Sequence, residues 1–136
     1  MGFNLRTIRQ VDTAVIEIKD PADGTPLGVR FTLAGPTHPE RKRIQFSQQR
    51  KTMRAFEKKG RVDLPDPEEA EESRLQNLAA YTLGWEGVED DKGQPIPFSP
   101  AAALALYKDP AMGWLVSQLD TALGEGELFI RRAAHS

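Results

Sequence analysis

Proline residues mark the starts of helices in the central and C-terminal parts of the chain. The positions of these starts constrain the fold more than any other feature of the sequence. Pro67, Pro100 and Pro110 each directly follow an Asp or a Ser. An Asp or Ser side chain caps the first turn of a helix, and proline fits the first helical position. Behind these starts, apolar residues recur every three or four positions until a glycine. We therefore predict one helix over residues 66–84 and two over residues 99–124.

A basic segment over residues 37–60 is predicted to form another helix. Thr37 and Glu40 make the T-x-x-E pattern of a capping box, and Gly60 suits the C-terminal end. The helix either packs shallowly or projects into solvent, because its apolar stripe is narrow for its length. Three apolar residues can share one face: Phe46, Met53 and Phe56.

The N-terminal residues 1–35 have the pattern of a β-hairpin. "TAVIEI" (13–18) is rich in β-branched residues, and "GVRFTL" (28–33) alternates apolar with polar residues. The segment between them contains Asp23-Gly24, a dipeptide typical of tight turns. An isolated hairpin is marginal in water, so its apolar face must pack on the helices.

These segments predict an α+β fold, mostly α, with an N-terminal β-hairpin followed by a small bundle of about four helices. The length of 136 residues suits one domain over residues 1–136. Between the helices, residues 85–98 are expected to form a connector, and residues 125–136 a C-terminal tail.

Composition excludes several classes of site. The chain has no cysteine, so it has no disulfide, thiolate metal site or cysteine nucleophile. No apolar run approaches the roughly 20 residues that cross a bilayer. The N-terminal residues lack the apolar core of a secretory signal, and a cytoplasmic protein is expected.

Charge is distributed in two adjacent blocks. Residues 41–61 hold nine Lys or Arg and one acid, and residues 63–72 hold six acids and no base. Such blocks can bind partners, pair with each other, or form two solvated helix faces.

Residue patterns for catalysis are missing from the sequence. The two histidines, His38 and His135, are far apart, and no Walker A, Gly-x-Ser-x-Gly or His-Glu-x-x-His motif occurs. "EDDKG" fails as a calcium loop, because counting from Glu89 the glycine stands fifth and Pro100 twelfth. We expect no enzyme, no cofactor and no metal site.

The order of these segments resembles the tail assembly chaperones of long-tailed (siphovirus-type) bacteriophages and prophages. The hairpin "IEIKDPADGTPLGVRFTLAGP" precedes the basic helix, and "GWEGV" (84–88) follows the next helix. An acidic turn then leads to "PFS" (97–99) and to a last helix that contains Asp109-Pro110 and Trp114.

The resemblance implies a non-enzymatic protein of the host cytoplasm. Proteins of that family are thought to coat the tape measure protein and to recruit tail tube protein subunits to it, and they are absent from the finished virion. It assigns no catalytic residue, and self-association stays open.

We expect the partner-binding surface to lie on the basic helix. Four cations there are the candidates: Arg43, Arg50, Arg54 and Lys58. Apolar residues of the 66–84 helix and of the last helix would contribute where they stay exposed. Large aromatic side chains favour the core, so three others are expected to be core or connector anchors: Trp85, Phe98 and Trp114.

Two alternatives remain from the sequence. The first is a structural virion component, such as a head–tail connector or minor tail protein, whose hairpin augments a neighbour's sheet. The second is a small nucleic-acid-binding protein that uses the cations of the basic helix. Binding to nucleic acid is the less favoured hypothesis, because the chain as a whole is acidic, with a net charge of −2.

Overall fold

A computed structural model describes residue 2, residues 4–60 and residues 66–132. The strands are β1 (Ile8–Gln10), β2 (Thr13–Lys19), β3 (Pro26–Ala34), β4 (Thr82–Glu86) and β5 (Ile130–Arg132). The α-helices are α1 (Pro39–Lys59), α2 (Pro67–Tyr81), α3 (Pro100–Lys108) and α4 (Gly113–Gly124). The predicted α+β fold, mostly helical and with an N-terminal hairpin, is confirmed.

The N-terminal hairpin forms two strands of a three-stranded antiparallel sheet. Strand β3 is central and pairs with β2 on one side and β4 on the other. In the turn, the Asp23 carboxylate accepts a hydrogen bond from the Thr25 amide at 2.9 Å, and Gly24 has a φ of 78°. The predicted Asp23-Gly24 turn is therefore confirmed, since a positive φ suits glycine.

Helix α1 begins one residue later than the predicted capping box requires. Pro39 takes the first helical position, so His38 is the N-cap and its Nδ1 accepts a hydrogen bond from the Glu40 amide at 3.1 Å. Thr37 instead donates from its hydroxyl to the Asp12 carboxylate at 2.9 Å. The predicted cap at Thr37 is wrong because proline fits best immediately after the cap.

Ser99 and Asp109 act as the predicted caps, whereas Asp66 does not. Ser99 Oγ accepts a hydrogen bond from the Ala102 amide at 3.0 Å at the start of α3. The Asp109 carboxylate accepts one from the Ala111 amide at 2.9 Å and caps a single 3₁₀ turn that leads into α4. Asp66 precedes α2 without a side-chain capping bond.

The predicted helix over residues 66–84 is wrong at its C-terminal end. Helix α2 stops at Tyr81, and Thr82–Glu86 continues directly as strand β4, where Phe31 lies opposite Trp85. Their ring centroids are 5.5 Å apart. Thr82 and Leu83 fit a helical period, but pairing with β3 and this cross-strand aromatic contact favour the strand. The predicted connector, residues 85–98, accordingly loses its first two residues to the sheet.

The segment predicted as a tail, residues 125–136, is folded as far as Arg132. A 3₁₀ turn carries Phe129 into the core, where it has no solvent exposure. Strand β5 then pairs antiparallel with β1, with Arg9 opposite Arg131. The tail prediction is wrong because this segment is held by long-range pairing, which leaves no local signal in so short a strand.

The core lies between the inner face of the sheet and helices α2, α3 and α4. Its largest fully buried side chains are Ile18, Phe31, Leu33, Leu78, Leu119 and Phe129. Helix α1 adds none of its residues to this buried cluster. It therefore lies at the side of the molecule, packed on α2.

A buried hydroxyl pair joins α2, β4 and α3. Thr82 Oγ1 donates to the Leu78 carbonyl at 2.8 Å and lies 2.7 Å from the Tyr107 hydroxyl. Because the Thr82 proton is used by Leu78, Tyr107 is the donor of the second bond. Burial raises the pKa of Tyr107 to about 12.

Alkaline pH is expected to destabilise the protein through Tyr107. Its folded-state pKa of about 12 lies above the ordinary value of 10.0, so the stabilisation is fully present below pH 10.0 and is lost as the pH rises through 12. The loss amounts to about 3 kcal/mol. Urea unfolding at a series of pH values should show a shallower alkaline loss for Tyr107→Phe. Parallel curves for both proteins between pH 10 and 12 would contradict this.

Candidate functional site

The surface of helix α1 is the candidate functional site. One side of the helix rests on the molecule, where Ile44, Ser47 and Ala55 are half-buried. The opposite side faces solvent along most of the 21 residues of the helix. The structure thus selects the second of the two predicted situations, in which much of the helix projects into solvent.

Arg41 attaches the first turn of α1 to the fold. Its guanidinium donates to the Ala34 carbonyl and to the Leu123 carbonyl, each at 3.3 Å. It also lies 5.5 Å from the centroid of the Tyr81 ring, within the range of a cation–π contact. Arg41 is not one of the four predicted partner-binding cations, and these contacts give it a structural role.

An apolar stripe lies on the solvent side of α1. We call Phe46, Met53 and Phe56 the α1 stripe; their exposed fractions are 54%, 59% and 55%. A helix turns about 100° per residue, so Phe46 and Met53 point within about 20° of each other and the whole stripe covers about 80°. Burying such side chains is favourable, so three together mark a surface suited to contact.

The four predicted cations lie along one flank of the stripe. We call Arg43, Arg50, Arg54 and Lys58 the basic row; their spacing of seven, four and four residues keeps them within about 80° of one another. All four are exposed. Arg43 already pairs with Glu40 at 2.9 Å, and this hydrogen bond lowers the pKa of the Glu40 carboxyl. The other three make no ion pair with another described residue.

The acidic block on α2 does not neutralise this row. Glu71 pairs with Arg74 at 2.8 Å on the same helix, and Arg74 also contacts Asp120 on α4. Glu72 pairs with Lys108 at 3.4 Å. Among residues 4–60 and 66–132, no ion pair joins α1 to α2.

The two other helices named as contributors offer no comparable surface. Within residues 66–124, neither α2 nor α4 carries an exposed large apolar side chain. Their apolar residues lie in the core, among them Leu75, Leu78, Leu115 and Leu119. Sequence periodicity identified the apolar faces correctly but could not say which of them the fold covers.

The three aromatic anchor candidates lie half-buried against the core. Trp85 donates from Nε1 to the Ile96 carbonyl at 2.8 Å, and its ring meets Phe98 edge-on with centroids 5.1 Å apart. These contacts hold the connector onto the sheet. Trp114 lies apart from them and lines a shallow apolar cavity of about 200 Å³ with Leu27 and Val88.

The outer edge of the sheet at β2 is capped at its C-terminal end, at Lys19. The Gln118 side chain accepts from the Lys19 amide at 3.1 Å and donates to the Lys19 carbonyl at 2.7 Å, as a neighbouring strand would. Val11 precedes β2, and its amide donates to the Phe129 carbonyl at 2.6 Å. The cap at Lys19 shortens the edge that is open to another strand.

The part of the chain that the structure describes contains neither a group of metal ligands nor a helix that could cross a membrane. No three His, Asp or Glu side chains in that part are grouped as metal ligands. None of its helices combines the length and the apolar character that crossing a membrane requires.

Comparison with known families places the chain among phage proteins. Residues 40–122 match the family model described as the YdaY prophage protein, from the first turn of α1 to near the end of α4. This range is more than half of the 136 residues, so the chain belongs to the YdaY prophage protein family. No curated protein and no solved structure matches the chain. The expected phage or prophage origin is confirmed, and the tail assembly role stays a prediction.

Proposed function

We propose that this protein is a tail assembly chaperone of a prophage. It acts in the host cytoplasm by binding, without catalysis: it covers the tape measure protein and brings tail tube subunits to it. Membership of a prophage family supports the phage setting. The segment order that resembles tail assembly chaperones supports the particular role.

The observation that carries the proposal is the exposed α1 stripe on a helix that stands outside the core. A chaperone of a long helical protein must cover apolar side chains for a limited time and then release them. A narrow stripe of three half-exposed side chains, flanked by charge, is suited to such reversible contact. The rest of the fold supplies a stable base for this helix.

The two alternatives receive less support. The Gln118 cap at Lys19 shortens the edge of β2 that could augment a neighbour's sheet, which weighs against a structural component joined through the hairpin. The basic row suits phosphates, but an apolar stripe beside it has no role in phosphate binding. Protein contact uses both features.

Co-expression tests the proposal directly. The tagged protein is produced with the neighbouring tail tube and tape measure genes, and purified. We expect at least one partner to be retained. Retention of neither partner by a folded protein would overturn the proposal, and abundant copies in purified particles, measured by mass spectrometry, would favour the structural alternative.

A variant of the α1 stripe provides the matched control. Replacing Phe46, Met53 and Phe56 together by Ser should abolish partner retention, because the contact loses its apolar anchors. The fold should keep its stability to within about 1 kcal/mol, since exposed sites contribute little. Thermal unfolding checks the second point. Unchanged retention in this variant would show that α1 is not the docking surface.

A further inference from the structure

We infer that the partner segment that docks on α1 is an acidic amphipathic helix, with its carboxylates on the side that faces the basic row. This inference rests on the proposed function in one respect only, that α1 is the docking surface. It adds the chemical class of the partner.

The exposed cations of α1 favour an acidic partner. Residues 39–59 hold eight Lys or Arg and two acids, Glu40 and Glu57. Arg50, Arg54 and Lys58 make no ion pair with another described residue, and two acids of α2, Glu71 and Glu72, are engaged by Arg74 and Lys108. Partner carboxylates along this flank would therefore gain favourable contacts without displacing an existing pair.

The α1 stripe lies parallel to the basic row, which favours a partner that is itself an amphipathic helix. On a helix, residues three and four positions apart are neighbours, so Arg50 lies beside both Phe46 and Met53, and the stripe and the row run side by side over the same turns. A helix laid alongside α1 meets both at once if its own apolar stripe is flanked by acids on one side. Recognition of a helix through such spaced anchors is a common mode of peptide binding.

The length of the surface sets the length of the partner. The α1 stripe spans ten residue steps and the basic row fifteen, which correspond to about 15 Å and about 22 Å of helix. A partner helix needs about 15 residues, or four turns, to cover the row. One or two turns would not reach from Arg43 to Lys58.

A second copy of this chain is a poor occupant. Two α1 helices packed stripe to stripe in antiparallel orientation would bring the two rows of cations together, and like charges oppose that contact. A parallel pair would place no row of acids opposite either row of cations, because α1 has only Glu40 and Glu57. The acidic start of α2 in another copy offers Glu68 and Glu69 but, within residues 66–81, no exposed large apolar side chain. The geometry therefore favours a different protein.

Synthetic peptides test the inference with the full-length protein. Three labelled 18-residue peptides are compared by fluorescence anisotropy: an amphipathic helix flanked by Glu, the same helix flanked by Lys, and the Glu peptide with its sequence scrambled. We expect the Glu helix to bind about tenfold or more tightly than the other two, and to weaken as salt rises. Equal binding of the Lys helix or of the scrambled peptide would overturn the inference.

Charge reversal provides the second arm. The variant Arg50→Glu, Arg54→Glu, Lys58→Glu should bind the Glu helix about tenfold more weakly and gain affinity for the Lys helix. Lys92→Glu, a reversal in the exposed turn of the connector, is the control and should change neither affinity. If duplex DNA binds the wild type more tightly than the Glu helix does, the surface is a phosphate site and the inference is wrong.

The two proposals fail separately. Binding of the Glu helix without retention of either tail protein would leave the partner chemistry in place and remove the tail assembly role. If the chain retains a tail protein but does not discriminate between the peptides, the tail assembly role stands and the acidic partner helix is ruled out.

Discussion

Replacing Phe129 by Ala is expected to lower the free energy of unfolding by about 3–5 kcal/mol, the range for removing a buried aromatic ring. The ring has no solvent exposure and lies among the largest core side chains. It also packs closely on the backbone: a Cβ added at Gly35 would lie 2.6 Å from Phe129 Cδ1. Surroundings so closely packed cannot readily collapse into the vacated space. Urea unfolding followed by circular dichroism measures the change.

Phe56→Ala is the matched control, because it removes the same ring from a side chain that is 55% exposed. Its free energy of unfolding should change by no more than about 0.5 kcal/mol. If Phe129→Ala lowers the free energy of unfolding as little as Phe56→Ala is expected to do, Phe129 is not a core residue. A large loss at Phe129 alone would establish that the C-terminal segment belongs to the fold.

This segment shows where sequence reasoning reaches its limit. Strand β5 is three residues long, and its partner β1 lies at the other end of the chain. A strand so short has no measurable alternation, and its stability comes from long-range hydrogen bonds and from Phe129 in the core. Neither contribution can be read from the neighbouring residues.

The helix starts, in contrast, were predictable because their chemistry is local. Proline in the first turn and a side-chain acceptor before it act within four residues, as at Ser99 and Asp109. The one misplaced cap, Thr37, came from weighing the T-x-x-E pattern above the position of Pro39. Where two local rules compete, the covalent restriction of proline decides.

The candidate site was predictable in its charges but not in its apolar part. Spacing alone places Arg43, Arg50, Arg54 and Lys58 on one side of a helix. Whether Phe46, Met53 and Phe56 are covered depends on which helices pack there, and that is a property of the whole fold. Arg41 shows the same dependence, since only the tertiary structure brings Ala34, Tyr81 and Leu123 around it.

Replacing Gly87 by Ala is expected to lower the free energy of unfolding by about 2–4 kcal/mol. Gly87 directly follows β4 and has a φ of 80°, a conformation that a residue with a side chain adopts at a cost of about 1 kcal/mol. The added Cβ would also overlap the Gly28 carbonyl oxygen and lie 3.3 Å from Val29 Cα. Backbone atoms cannot move aside as a flexible side chain can, so β3 and β4 must separate locally.

Gly24→Ala separates the two contributions. Gly24 has a nearly equal φ of 78°, but a Cβ there would meet no atom within 4 Å. The control variant should therefore lose only about 1 kcal/mol, the cost of the backbone conformation. Both variants are compared by urea unfolding and by the fluorescence of Trp85, whose ring lies two residues before Gly87 and packs on Phe31. Equal losses would contradict the prediction, because they would show that β3 and β4 accommodate the added Cβ at Gly87 without cost.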